Sequence, residues 1–155
     1  EKGAACVTAK DFRWEKCHIK STSLLGNVLA RQVSADAGAT ETILFRDGFL
    51  TEAAASNVFV VKGGKVAAAP QDNHILLGIT YELLTELARE GRLDFAIRPI
   101  PEAEVRAADE IWLSSSTKEV LAVTTLDGKP VGAGVPGPVF KRMHALFQAY
   151  KAKLA

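Results

Sequence analysis

The run Asn57-Val58-Phe59-Val60-Val61-Lys62 does most to limit what this chain can fold into. Successive side chains of a strand point to opposite faces. Val58 and Val60 fall on one face, Phe59 and Val61 on the other, so both faces are apolar. A strand of that kind needs cover on both sides. It predicts a sheet packed above and below. Turn chemistry supplies its neighbours: Gly63-Gly64 turns the run into a strand over Lys65–Ala69, and Asp47-Gly48 joins strands over Glu41–Arg46 and Phe49–Thr51.

The remaining periodicity alternates between strand and helix. A short strand is expected at Cys6–Ala9, then a helix from Ser23 to Ala37, capped by Ser21 or Ser23 and ended by Gly38. Leu24, Leu25, Val28, Leu29 and Val33 recur at helical steps and predict its buried face. Further on, Gly78–Glu90 reads as a helix, Leu93–Arg98 as a strand, and Pro101–Ala107 as a short helix. Glu110–Leu113 and Val120–Thr125 read as strands interrupted by Ser114-Ser115-Ser116-Thr117. Asp127-Gly128 turns the chain again, and a closing helix spans Val139–Leu154 with Met143, Leu146, Phe147 and Tyr150 inward. The expected fold class is α/β with a large antiparallel component, in one domain over 1–155.

Bulk properties exclude several classes. A net charge of +1 gives no broad attraction to nucleic acid or acidic membranes. No apolar run approaches the roughly 18 residues of a membrane span, and the first ten residues lack a signal-peptide pattern. Cys6 and Cys17 make no disulfide framework and fit a reducing, cytoplasmic setting. His18, His74 and His144 show no metal-ligand spacing, so no metal is expected. No Ser-His-Asp motif, P-loop or dinucleotide fingerprint is present. The only methionine is Met143, so Glu1 reads as a processed, cloned or cleaved terminus of a longer protein.

Several residues carry chemical potential. Lys20 is an amine flanked by Ile19 and the Leu24-Leu25 pair, an apolar setting that would favour the neutral, nucleophilic form. Glu52 follows a hairpin strand and precedes three alanines; a partly buried carboxyl there suits a heterocyclic nitrogen. Gly78-Ile79-Thr80 opens a helix, where unpaired N–H groups and the dipole suit phosphate. Ser114 to Thr117 offers small donors that would complete a phosphate cup. Taken singly, each is ordinary, since most lysines are solvated charges.

Together and in order they are not ordinary. Cys17-x-Ile19-Lys20-Ser21-x-x-Leu24-Leu25-x-Asn27-Val28-Leu29-Ala30 is followed by Arg46-Asp47-Gly48, Thr51-Glu52 and Ser56-Asn57-Val58-Phe59. Asn73-His74-Ile75-Leu76, Gly78-Ile79-Thr80, Ser115-Ser116-Thr117-Lys118-Glu119-Val120 and Leu126-Asp127-Gly128-Lys129-Pro130 complete the set. From Asp11 to about Tyr150 the chain resembles the C-terminal part of a fold-type IV, class IV aminotransferase, most of all the D-amino acid (D-alanine) aminotransferases.

The resemblance implies a pseudo-barrel of mostly antiparallel strands with flanking helices, and pyridoxal 5'-phosphate as cofactor. Lys20 would hold it as a Schiff base and shuttle the proton. Glu52 would pair with the pyridine nitrogen, and Leu76 would lie against the ring. Gly78, Ile79 and Thr80, with Ser115, Ser116 and Thr117, would hold the phosphate. Ser56 and Asn57 would belong to the hydrogen-bonded surround. The implied substrates are an amino acid and a 2-oxo acid such as 2-oxoglutarate or pyruvate, and the implied assembly is a homodimer. The family's smaller N-terminal domain, which supplies a phosphate-binding arginine and much of the substrate-carboxylate trap, is not in this chain.

Departures from the pattern bear on substrate. His18 stands where D-amino acid enzymes commonly carry an acidic residue, and Ala53-Ala54-Ala55 replaces a Gly/Ser-rich stretch. Leu77 takes a position often held by proline or lysine, and Tyr81 one often held by arginine. Branched-chain aminotransferase and aminodeoxychorismate lyase are the alternatives within the family. Ala55-Ser56-Asn57, where branched-chain enzymes usually carry Gly-Glu-Asn, disfavours the first. Outside catalysis, the alternative is a truncated domain that folds and associates but has little activity alone.

Overall fold

A computed structural model describes residues 3–154. Glu1, Lys2 and Ala155 lie outside it, and with them the reading of Glu1 as a processed terminus. Strands β1 (Ala4–Lys10), β2 (Glu41–Arg46), β3 (Phe49–Ala53), β4 (Asn57–Lys62) and β5 (Lys65–Ala68) precede β6 (Phe95–Ile97). Strands β7 (Glu110–Ser115), β8 (Glu119–Leu126) and β9 (Lys129–Pro130) follow. Helices are α1 (Leu25–Asp36), α2 (Ile79–Glu90), α3 (Glu102–Arg106) and α4 (Pro138–Ala152). All strands join one curled sheet in the order β3-β2-β1-β8-β7-β4-β5-β6, with β9 pairing β8. The β1–β2, β1–β8 and β5–β6 pairings are parallel and the other five are antiparallel, as the mostly antiparallel expectation requires.

Tight turns set the antiparallel registers. Asp47 and Gly48 lie at φ 50 and 81, Gly63 and Gly64 at 57 and 78, Asp127 and Gly128 at 48 and 73. Two consecutive positive φ values are what a hairpin needs to match strand twist, and Asp-Gly and Gly-Gly tolerate them.

The two apolar faces of β4 enter different cores. Val58 and Val60 pack inside the curl with Ile43, Phe45, Ile111 and Leu113. Phe59 and Val61 pack outside it, with Trp112 and with Tyr81, Leu84, Phe140 and Met143 of α2 and α4. Phe59 stacks on Trp112 at 6.2 Å between centroids and meets Tyr81 at 5.2 Å. In α4, Met143 and Phe147 are buried, and Leu146 and Tyr150 pack partly against the same core.

Helix α1 corrects the expectation. Leu24, Leu25, Val28, Leu29 and Val33 are exposed, with Leu25 at 71%. The buried residues are Ala30 and Ser34, and Ala30 packs with Leu44 and Ala54. Gly26, Ala30 and Ser34 recur every four residues and let the helix backbone approach β2 closely; a Cβ on Gly26 would stand 3.2 Å from Arg13 Cγ. Periodicity located an apolar stripe but not which face meets the sheet. Neither Ser21 nor Ser23 caps α1: Leu24 holds the cap position, and Ser21 Oγ instead accepts from the Ser23 N–H at 3.3 Å. Ser114 and Ser115 also belong to β7, so the polar interruption begins only at Ser116. Among the described residues no helix is long and apolar enough to cross a membrane.

Replacing Phe59 by alanine is expected to cost about 3–5 kcal/mol of unfolding free energy, the range for truncating a buried phenylalanine. Leu25→Ala, on the exposed stripe, is expected to change it by less than about 0.5 kcal/mol. Urea titration of both variants checks the contrast; equal losses would refute this orientation of α1.

Candidate active site

One cavity of about 710 Å³ opens between the α1 start, the β3–β4 turn, the segment before α2, and the end of β7. Lys20, Glu52, Ser56, Asn57 and Leu76 line it, as do Gly78, Ile79, Ser115, Ser116 and Thr117. Thr80 sits one residue into the α2 first turn, outside this lining. Residues separated by nearly a hundred positions therefore share one wall.

The apolar enclosure expected around Lys20 is not formed. Lys20 is exposed, and so are Ile19 and Leu24 beside it. Glu52 is the reverse: it lies within β3 and is 5% exposed. Its Oε1 accepts from Arg13 Nη1 at 2.5 Å. Its Oε2 accepts from Asn57 Nδ2 at 3.2 Å and from the Leu76 N–H at 3.1 Å. Asn57 Nδ2 also donates to the Leu76 carbonyl at 2.9 Å, so Leu76 is fixed by its backbone at both ends. Gly78 is required by crowding, since a Cβ there would stand 2.8 Å from Asn57 Oδ1.

Arg13 is the residue that sequence reading missed. Its Nε and Nη2 donate to the two Asp11 oxygens, each at 2.9 Å, and Nη2 donates to the His74 carbonyl at 3.1 Å. Both side chains of the Asp11–Arg13 pair are almost fully buried. Burial opposes the Asp11 charge, but Arg13 and the Thr51 hydroxyl outweigh it and hold that carboxyl below its usual value. Burial likewise opposes the charge on Arg13, which Asp11 and Glu52 nonetheless keep protonated beyond the ordinary arginine range. Glu52 goes the other way: burial outweighs Arg13 and pushes it up to about 7. The cavity thus holds a carboxyl that keeps a proton near neutrality.

The phosphate-class features also converge. No side chain caps α2, whose start opens on the cavity. In α4, by contrast, the Glu110 carboxylate accepts from the Val139 N–H at 2.9 Å and the Phe140 N–H at 2.7 Å. Ser114 Oγ lies on the cavity wall, buried and without a hydrogen-bond partner. Ser115 Oγ stands 3.4 Å from Thr117 Oγ1, while Ser116 and Thr117 are exposed. Tyr81, at the position often held by arginine, is instead a core residue whose hydroxyl donates to the Ala69 carbonyl at 3.0 Å.

Comparison of the fold gives the class. The branched-chain amino acid aminotransferase of Escherichia coli superposes with a TM-score of 0.89 at 27% identity, over 96% of this chain and 51% of that one. The branched-chain enzyme of Thermobaculum terrenum, solved in its PLP-bound holo form, shares the fold with a TM-score of 0.89 at 23% identity, over 96% and 50%. The architecture around this cavity is that of an aminotransferase. Sequence comparison narrows it. D-alanine aminotransferases from Bacillus licheniformis and from Staphylococcus aureus (strain MSSA476) are 39% and 37% identical, over 96% and 97% of this chain and 52% and 53% of theirs. The family model for class IV amino-transferases matches residues 1–126, and the chain belongs to that family. It spans about half the length of the curated relatives it matches.

The raised Glu52 fixes the sign of a pH effect. Below about pH 4.5 folded and unfolded chains both hold the proton, above about pH 7 neither does, and between them only the folded chain holds it. Folding stability of the cofactor-free chain therefore falls as pH rises through that window, by up to about 3 kcal/mol from this group. Glu52→Gln is expected to remove that slope. Chemical denaturation of both proteins at pH 4.5 and pH 8 measures it; parallel pH profiles would contradict the assignment.

Proposed function

We propose that this chain is the cofactor-binding part of a pyridoxal 5'-phosphate-dependent transaminase. Its reaction moves the amino group of a D-amino acid such as D-alanine to a 2-oxo acid such as 2-oxoglutarate. The observation that carries the reading is one cavity holding an exposed primary amine, a buried carboxyl and an uncapped helix start. Those groups match an aldehyde carbon, a ring nitrogen and a phosphate in turn. Bound there, the cofactor would supply an electron sink for the bond broken at the substrate α-carbon.

The chain's own residues would do the rest. Lys20 would hold the cofactor through its amine and would move the proton at the substrate α-carbon; its exposure leaves the amine open to both. Glu52 would pair with the ring nitrogen, and Arg13 with Asn57 keeps the carboxyl in place. Leu76, fixed by its backbone, would lie against the ring. Gly78, Ile79 and Thr80 offer backbone N–H groups to the phosphate, and Ser115, Ser116 and Thr117 offer hydroxyls, with orphaned Ser114 Oγ as a further donor. Ser56 and Asn57 brace this wall.

The D-alanine assignment follows the sequence relatives, which are 35–39% identical. A branched-chain substrate is the second reading, because solved structures at TM-scores of 0.87–0.89 include branched-chain enzymes. A cytoplasmic homodimer, completed by an N-terminal domain that closes the substrate side, is the assembly we infer. The chain alone is then expected to transaminate at least tenfold more slowly than a full-length relative. Steady-state rates with D-alanine, L-leucine and aminodeoxychorismate decide the substrate. Visible absorbance of the lysine-bound cofactor is expected in the wild type and lost in Lys20→Ala; an unchanged band in the variant would remove Lys20 from the mechanism.

A further inference from the structure

The Ser116–Lys118 turn that closes β7 onto β8 is an awkward one. The first residue back in the ladder, Glu119 opposite Ser115, lies at φ 55, the left-handed region that favours glycine. Ser116 and Thr117 are exposed and have no core of their own. Something outside the turn must hold it.

Two tethers do so. On one side, the Glu119 carboxylate accepts from Gln148 at 3.1 Å and from Lys151, both on α4. On the other, Lys118 Nζ donates to Glu41 Oε2 at 2.9 Å and to Ser56 Oγ at 3.0 Å. Ser56 Oγ donates to the same Glu41 oxygen at 3.1 Å. The Glu41 side chain has no exposure at all, and the nearest other cation, half-exposed Arg31, lies 3.4 Å from Oε1. A carboxylate so buried needs a close cation, which commits the Lys118 ammonium to it. The Lys118 N–H meanwhile donates to Ser115 Oγ at 3.0 Å. Lys118 therefore joins the hydroxyl turn to the first residue of β2 and to the residue before β4.

We propose that Lys118 is a positioning residue whose ammonium, joined to Glu41 and Ser56, holds the Ser115–Thr117 turn in the shape that receives the cofactor phosphate. This rests on the proposed function for the ligand, but not for the tether itself. Hydrogen exchange of the chain without cofactor reads the tether directly. In K118M, amides of residues 115–118 are expected to exchange at least tenfold faster, with α2 unchanged. Titration then reads the consequence: the dissociation constant for pyridoxal 5'-phosphate rises at least tenfold, that for pyridoxal, which lacks the phosphate, less than twofold, and K118R restores most of the difference. Should loss of the cation beside buried Glu41 prevent K118M from folding, E41Q/K118M removes charge and partner together and is expected to behave the same way. Unchanged exchange at the turn, or equal weakening of both ligands, overturns the proposal. A wild-type chain that binds neither ligand overturns the proposed function instead, and the exchange result then decides the tether alone.

Discussion

A buried guanidinium organises this molecule. Arg13 is 5% exposed and carries a full charge, a situation tolerated only when every face of the group is met. Asp11 grips it from the exit of β1, Glu52 from β3, and the His74 carbonyl from the segment before α2. Arg46 of β2 reaches in as well, donating to the Arg13 carbonyl at 2.7 Å. Four separate stretches of chain are thereby referred to one point. Gly26 keeps the start of α1 close to the same side chain. The cavity exists where those stretches diverge again.

The same arrangement separates two carboxyls that start out alike. Asp11 has two charge-assisted bonds from Arg13 and the Thr51 hydroxyl, so its ionised form wins. Glu52 has one short bond from Arg13 and two longer ones from neutral donors, and burial prevails. Arg13 serves the two carboxyls unequally, and Arg46 adds a second cation 3.4 Å from Asp11 alone, so Asp11 is held ionised while Glu52 is poised near neutrality. Glu110 instead accepts from the first N–H groups of α4, whereas no side chain caps the starts of α1 and α2, which both border the cavity.

What sequence disclosed was whatever is local or periodic. The Asp47-Gly48 and Asp127-Gly128 turns were readable because positive φ is a property of those residues themselves. The two-faced β4 was readable because alternation leaves no other interpretation. The α1 face was not: an apolar stripe states that something covers it, and the Gly26-Ala30-Ser34 stripe that meets the sheet is too small to register as hydrophobic. Resemblance named residues from Lys20 to Thr117 that, Thr80 apart, line one cavity. It gave no role to Arg13, Glu41 or Lys118, because the Arg13–Glu52 and Lys118–Glu41 contacts join residues 39 and 77 positions apart.

The position of β1 has a consequence for how the chain is made. It sits between β2, which follows soon after, and β8, whose Val123 pairs with Ala4 and whose turn residue Asp127 binds Thr8 across 119 positions. The β1–β2 ladder joins strands close in sequence, whereas the β1–β8 ladder cannot close until residues 119–126 have been made. Until then β1 presents a bare strand edge, the feature most prone to pairing with the wrong partner. The interval between the two pairings is therefore the time during which β1 is open to mispairing.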